Sequence, residues 1–190
     1  MRTFLIVTFT VVLALMLVGC AKYPQADIDA AQAALTAAKQ AEADRYVPDM
    51  YNAAQKTLND ALALADKEKQ AWFSNYDEAL KLVASAKEAA GNAANAVAAK
   101  KDELKKATEE LLAKIPEEVK NAKKMWTKAP RGKGTREALA AIKADIETQE
   151  KAVDEVNAAL TSGDFLTAQQ KAQAILDKLA SLEAELQPKK

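Results

Sequence analysis

The chemistry open to this chain is bounded first by what it lacks. Its 190 residues include no histidine and one cysteine, Cys20. Without imidazole the usual general base and the commonest metal ligand are absent, so catalysis would have to rest on carboxylates, lysine, tyrosine or serine. Neighbouring acids such as Asp102/Glu103 and Glu109/Glu110 point about 100° apart around a helix and cannot flank one bond. No serine elbow and no metal-ligating cluster is visible, so the sequence reads as a non-enzymatic protein that calls for no cofactor and no metal. Arg131-Gly132-Lys133-Gly134-Thr135 sets glycines beside a helix start, as phosphate-cradling loops do. The full phosphate-loop spacing and a preceding strand are both missing, which argues against nucleotide binding.

Binding is better represented. Residues 114–136 hold eight basic side chains against Glu117 and Glu118, whereas residues 137–187 hold ten acidic against four basic. Lys120, Lys123, Lys124, Lys128, Arg131 and Lys133 are the candidates for an anionic surface such as lipid headgroups or cell-wall carboxylates. The plainer reading is a solvated face whose charges pair along the helix or dock one part of the chain on the other. The whole chain balances 27 Lys+Arg against 27 Asp+Glu, which argues against a whole-chain affinity for nucleic acid. Trp72-Phe73 and Trp126 have the rings to stack on sugars or fill a partner's groove, although sealing helix turns is the commoner use and the one expected here.

The start of the chain sets the compartment. Met1-Arg2-Thr3 is positive, and Phe4 to Val18 is an apolar run too short for a bilayer span of about 20 residues, so it reads as an export signal. The run closes on Leu17-Val18-Gly19-Cys20, which resembles the lipobox of bacterial lipoproteins. That resemblance implies cleavage after residue 19, acylation of Cys20 and attachment to a membrane. Ala21, where an aspartate would signal inner-membrane retention, implies the outer membrane with the chain facing the periplasm. A lone thiol in an oxidising compartment has no internal disulfide partner, whereas a thioether-linked lipid needs none.

From Tyr23 onward apolar residues recur at three and four, with no period-two stretch, so the fold class is all-α: an extended antiparallel bundle of helical hairpins. Ile28, Ala31, Leu35 and Ala38 stripe a first helix over about 24–45. Pro48 suits the first turn of a second, which buries Tyr51, Ala54, Leu58, Ala61 and Ala65. Ser74 or Asn75 caps a third. There Tyr76, Val83, Ala90, Val97, Leu104 and Leu111 lie seven apart, with alanines at 79, 86, 93 and 107. This is a coiled-coil-like, alanine-rich seam, which also makes a homo-oligomer plausible. Pro116 is expected to break or kink the path before a short helix ending near Trp126. A last hairpin turns at Gly163-Asp164. The expected organisation is a signal over 1–19, a helical domain over 20–113, a basic short helix and loop over 114–135, a hairpin over 136–187 and a tail over 188–190.

Tyr23-Pro24, Ile28-Asp29-Ala30-Ala31, residues 43–51 (Ala-Asp-Arg-Tyr-Val-Pro-Asp-Met-Tyr) and Asn75-Tyr76-Asp77-Glu78-Ala79 resemble the helical lipoprotein family designated domain of unknown function 4398. The likeness spans about residues 20–112, departs at Val47 where alanine is expected, and does not extend past Ile115. It implies a lipid-anchored helical fold and lends no activity. The aromatic-x-x-Ala pairs at Tyr76/Ala79 and Phe165/Ala168 resemble tetratricopeptide packing, but their separation far exceeds a 34-residue repeat. The expected role is therefore an envelope scaffold, spacer or protein-binding module, with an envelope protein or peptidoglycan as partner. The alternative is a tether between outer membrane and peptidoglycan, joined through Lys190 or noncovalently.

Overall fold

The computed structural model describes residues 22–132 and 135–187. Cys20, Lys133 and Lys190 lie outside them. The described residues form helices and no strand: α1 (Gln25–Gln40), α2 (Ala43–Tyr46), α3 (Pro48–Lys69), α4 (Asp77–Lys128), α5 (Arg136–Ser162) and α6 (Phe165–Leu186). No helix among them is long and apolar enough to cross a membrane. The chain divides into two compact units between Val97 and Ala98, inside α4.

In the first unit the striped faces of α1, α3 and the start of α4 close on one another. Ile28 and Ala31 meet Leu58, Ala61 and Ala65, and both meet Tyr76, Ala79, Val83 and Ala86. Alanine at five of these nine positions removes the side-chain bulk that would hold helix backbones apart. Antiparallel entry is fixed where α1 begins: the Tyr23 hydroxyl donates to Asp66 Oδ1, 3.0 Å away near the end of α3.

The first helix is shorter than its stripe suggests. It stops at Gln40, and Glu42 takes a left-handed conformation with φ of 67° before α2 opens at Ala43. That geometry costs a non-glycine residue about 1–2 kcal/mol. The burial of Ala43 and Tyr46 in α2 offsets the cost, since one large side chain alone gains about 1.5–3 kcal/mol on leaving water. Pro48 then occupies the first turn of α3, as expected. Asn75 Oδ1 accepts the Asp77 N–H at 2.9 Å, so Asn75 is the residue that opens α4.

The expected break at Pro116 does not occur. α4 runs unbroken for 52 residues with Pro116 inside it. An interior proline removes one backbone donor and costs about 3 kcal/mol. Its neighbours Ile115 and Val119 are both buried in the second unit's core, and at about 1.5–3 kcal/mol each they outweigh that cost and keep the helix continuous.

The second unit packs the end of α4 against α5 and α6 around Ile115, Ile146, Val156, Ile175, Leu179 and Leu182. Gly163, with φ of 79°, supplies the left-handed turn that ends α5, and its N–H and that of Asp164 return to Leu160 and Ala159. Asp164 then caps α6 through the Thr167 N–H. The pair is antiparallel, because ion pairs join Lys171 to Glu155 and, at 2.9 Å, Lys178 to Asp145, so that the partner number falls as the chain advances. Lys171 holds the Glu155 carboxyl below its ordinary range, and Asp145 raises the Lys178 ammonium. Thr108, fully buried on α4, donates its hydroxyl to the Leu104 carbonyl at 2.7 Å and so leaves no unmet group.

Candidate functional site: a cationic groove at Trp126

Trp126 sits near the end of α4, where the helix must keep one face on the core while the chain prepares to turn. Its indole N–H donates to the Leu139 carbonyl at 2.7 Å. That bond crosses from α4 to α5 and fixes the ring at the mouth of the loop between them. In the loop, the Thr135 hydroxyl accepts the Gly132 N–H at 2.9 Å and lies 3.1 Å from the Gly132 carbonyl, a compact turn at the start of α5.

Around the ring lies a groove of about 710 Å³, lined by Trp126 and Arg131 from one side and by Arg136, Leu139 and Lys143 from α5. Arg136, Leu139 and Lys143 have a three-then-four spacing, which places them along one face of the helix. The Arg131 guanidinium is 5.0 Å from the Trp126 ring centroid and the Lys143 ammonium 5.7 Å, within the range of cation–π attraction. Lys143 also reaches Glu147 at 3.6 Å. Arg131 and Arg136 form no ion pair with the described residues. The arrangement is an apolar shelf with an indole at its back and three cations at its rim. Chemically it suits an anionic group carried on an apolar or ring-shaped body.

The candidates read from the sequence are not all brought together. Arg131 joins the groove. Lys123 lines a second, smaller pocket of about 250 Å³ that shares Trp126 and Lys143 with the groove, and is held by Glu150 of α5 at 2.6 Å. Lys120 pairs along its own helix with Glu117 at 3.4 Å. Lys124 and Lys128 are exposed; the helical repeat places them opposite Ile115, Val119 and Ala122, on the side of α4 that faces away from the core. Cys20 and Lys133 fall outside the described residues. Arg136 and Lys143 are the groove residues that sequence reasoning missed as a site. Their signal was present in the spacing, but only the Trp126–Leu139 bond tells which face of α5 meets the indole.

The two tryptophans also part company. Trp126 is half-buried and seals a helix junction, as expected. Trp72 and Phe73 do not seal the turn between α3 and α4: they are among the most exposed large apolar side chains described. The turn is closed instead by polar contacts, the Asn75 N–H donating to Glu68 at 3.2 Å and Asn75 accepting from Asp77. No group of three or more His, Cys, Asp or Glu able to hold a metal is found among the described residues.

No family model, curated protein or solved structure matches the chain.

Proposed function

We propose that this chain is a lipid-anchored, non-enzymatic helical protein of the bacterial envelope. It is carried on Cys20 at the outer membrane, faces the periplasm, and acts as a scaffold or protein-binding module that holds an acidic partner in the Trp126 groove. The carrying observation is that groove: two guanidinium groups without carboxylate partners among the described residues, set beside an indole. Planar guanidinium forks recognise carboxylates bidentately, so an acidic segment of an envelope protein is the occupant of matching chemistry. The location is supported by the positive start, short apolar run and Leu17-Val18-Gly19-Cys20 of the sequence, and by the resemblance to the domain of unknown function 4398 lipoproteins.

Crosslinking in intact cells, with subsequent recovery of the chain, tests this reading. Wild type is expected to carry an envelope protein that R131A/R136A fails to retain. If wild type recovers no envelope partner, or the double variant recovers it equally, the binding role is lost.

The same cations favour a second reading, in which the groove meets peptidoglycan carboxylates and the chain tethers membrane to wall. In that case wild type sediments with isolated peptidoglycan in low salt and R131A/R136A does not. Retention after boiling in detergent that disappears on deletion of Lys190 would add a covalent link; equal release from both excludes it.

A further inference from the structure

The α3–α4 turn is built in an uneconomical way for a solvent-facing loop. Trp72 is 92% exposed and Phe73 85% exposed, yet the residues on either side are tied down. Glu68 accepts the Asn75 N–H. The Tyr23 hydroxyl holds Asp66, the Tyr23 ring meets the Tyr76 ring edge-on at 5.6 Å, and the Lys69 ammonium lies 5.1 Å from the Tyr23 centroid. The loop therefore presents two adjacent large apolar side chains from a fixed base, and that base includes Tyr23. Three peptide units, from residue 20 to residue 23, span at most about 11 Å. A lipid attached at Cys20 would thus enter its membrane beside this turn, at the end of the unit where Trp72 and Phe73 stand out.

We propose that the Trp72-Phe73 turn is a membrane-docking element that inserts into the headgroup region of the bilayer holding the chain. This rests on the lipid-anchored reading above and adds a second point of attachment to it. Tryptophan and phenylalanine have the right chemistry, since an amphipathic indole settles at the membrane interface and a phenyl ring beside it buries apolar surface. The charges nearby are mixed: Asp66, Glu68, Asp77 and Glu78 stand with Lys22, Lys67 and Lys69, so the collar has no positive excess and the insertion does not depend on anionic lipid. A flexible single anchor would leave the unit free to swivel; a lipid held by at most about 11 Å of chain to Tyr23, at the base of the turn that carries the aromatic pair, defines an orientation together with that pair.

The test uses the chain purified from membranes and reconstituted in phosphatidylcholine vesicles whose acyl chains carry bromine near the headgroup, which quenches only tryptophan at that depth. Trp72→Phe leaves Trp126 as the sole tryptophan, so under excitation selective for indole the difference between wild type and W72F reports Trp72. Strong quenching of wild type and little of W72F is expected, with emission of the Trp72 component shifted to the blue. Phe73→Ser, at a site too exposed to affect folding, should lower the Trp72 quenching constant severalfold. Equal quenching of wild type and W72F overturns the proposal and leaves a protein partner as the occupant of the turn. Mass measurement of Cys20 on the same sample separates the two claims. An unacylated Cys20 sinks the lipid-anchored reading, while the quenching ratio still decides whether the turn inserts.

Discussion

Glu183 on α6 shows how far a single carboxylate can run against its surroundings. Its Oε1 is buried and accepts no hydrogen bond from the described residues. Burial first, and the charge of Glu118 second, raise its carboxyl above the ordinary 4.5. A carboxyl raised in the folded state favours folding while protonated, and that contribution fades as pH rises through the raised value. Glu183→Gln removes the penalty. It should therefore raise the melting temperature by roughly 1–2 °C at pH 7 and give no advantage at acid pH, where wild type is already protonated; a pH series of thermal melts checks both limbs. Tyr23 is the opposite case, a polar group well used. Burial, then the Asp66 hydrogen bond and charge, hold its phenol above the ordinary 10.0. Tyr23→Phe keeps the ring against Tyr76 and deletes only the bond, so it should cost about 1 kcal/mol by denaturant titration. The same change made in an Asp66→Ala background should cost close to nothing. At this scale the sequence named Trp126 and Arg131 but not the company they keep. A charge count along the chain cannot separate Lys124, which faces solvent, from Lys123, one residue earlier, which reaches Glu150.

At the scale of the helix, the legible features were those with a local cause. Pro48 at a first turn, Gly163 past a helix end, and Asp164 and Asn75 at helix starts all act through their own backbone geometry, so their types announce them. Two features escaped because their cause lies elsewhere in the chain. The left-handed Glu42 exists to bring Ala43 and Tyr46 into the core, and the passage of α4 through Pro116 depends on the burial of Ile115 and Val119. α4 also contains Gly91, and a Cβ added there meets nothing within 4 Å. Gly91→Ala should therefore stabilise the protein by about 0.5–1 kcal/mol, because it reduces the freedom of the unfolded chain and fills no occupied space. Thermal unfolding should show a rise of roughly 1–4 °C. A fall instead would mean that position 91 is approached by a partner, as in an alanine-seamed dimer.

For the molecule as a whole, the sequence made the seam visible but not what lies against it. Tyr76, Val83, Ala90, Val97 and Leu104 repeat every seven residues, and all five are buried within the chain itself. A heptad pattern reports that a face is covered and is silent on whether the cover comes from the same chain or another. Within the chain, Tyr76 and Val83 lie in a core with Ile28 and Leu58, while Ile115 and Val119 farther along α4 lie in a second core with Ile146, Ile175 and Leu179. The two cores have no residue in common and α4 contributes to both; helix formation along its backbone adds little coupling per residue once a helix exists. Leu179→Ala, at a position fully shielded from solvent, should cost the second unit about 2–5 kcal/mol. If the cores are independent, native-state hydrogen exchange will speed at Ile146 and Ile175 and stay unchanged at Leu58 and Val83. Equal loss of protection in both sets would show that α4 makes one cooperative block of the two units.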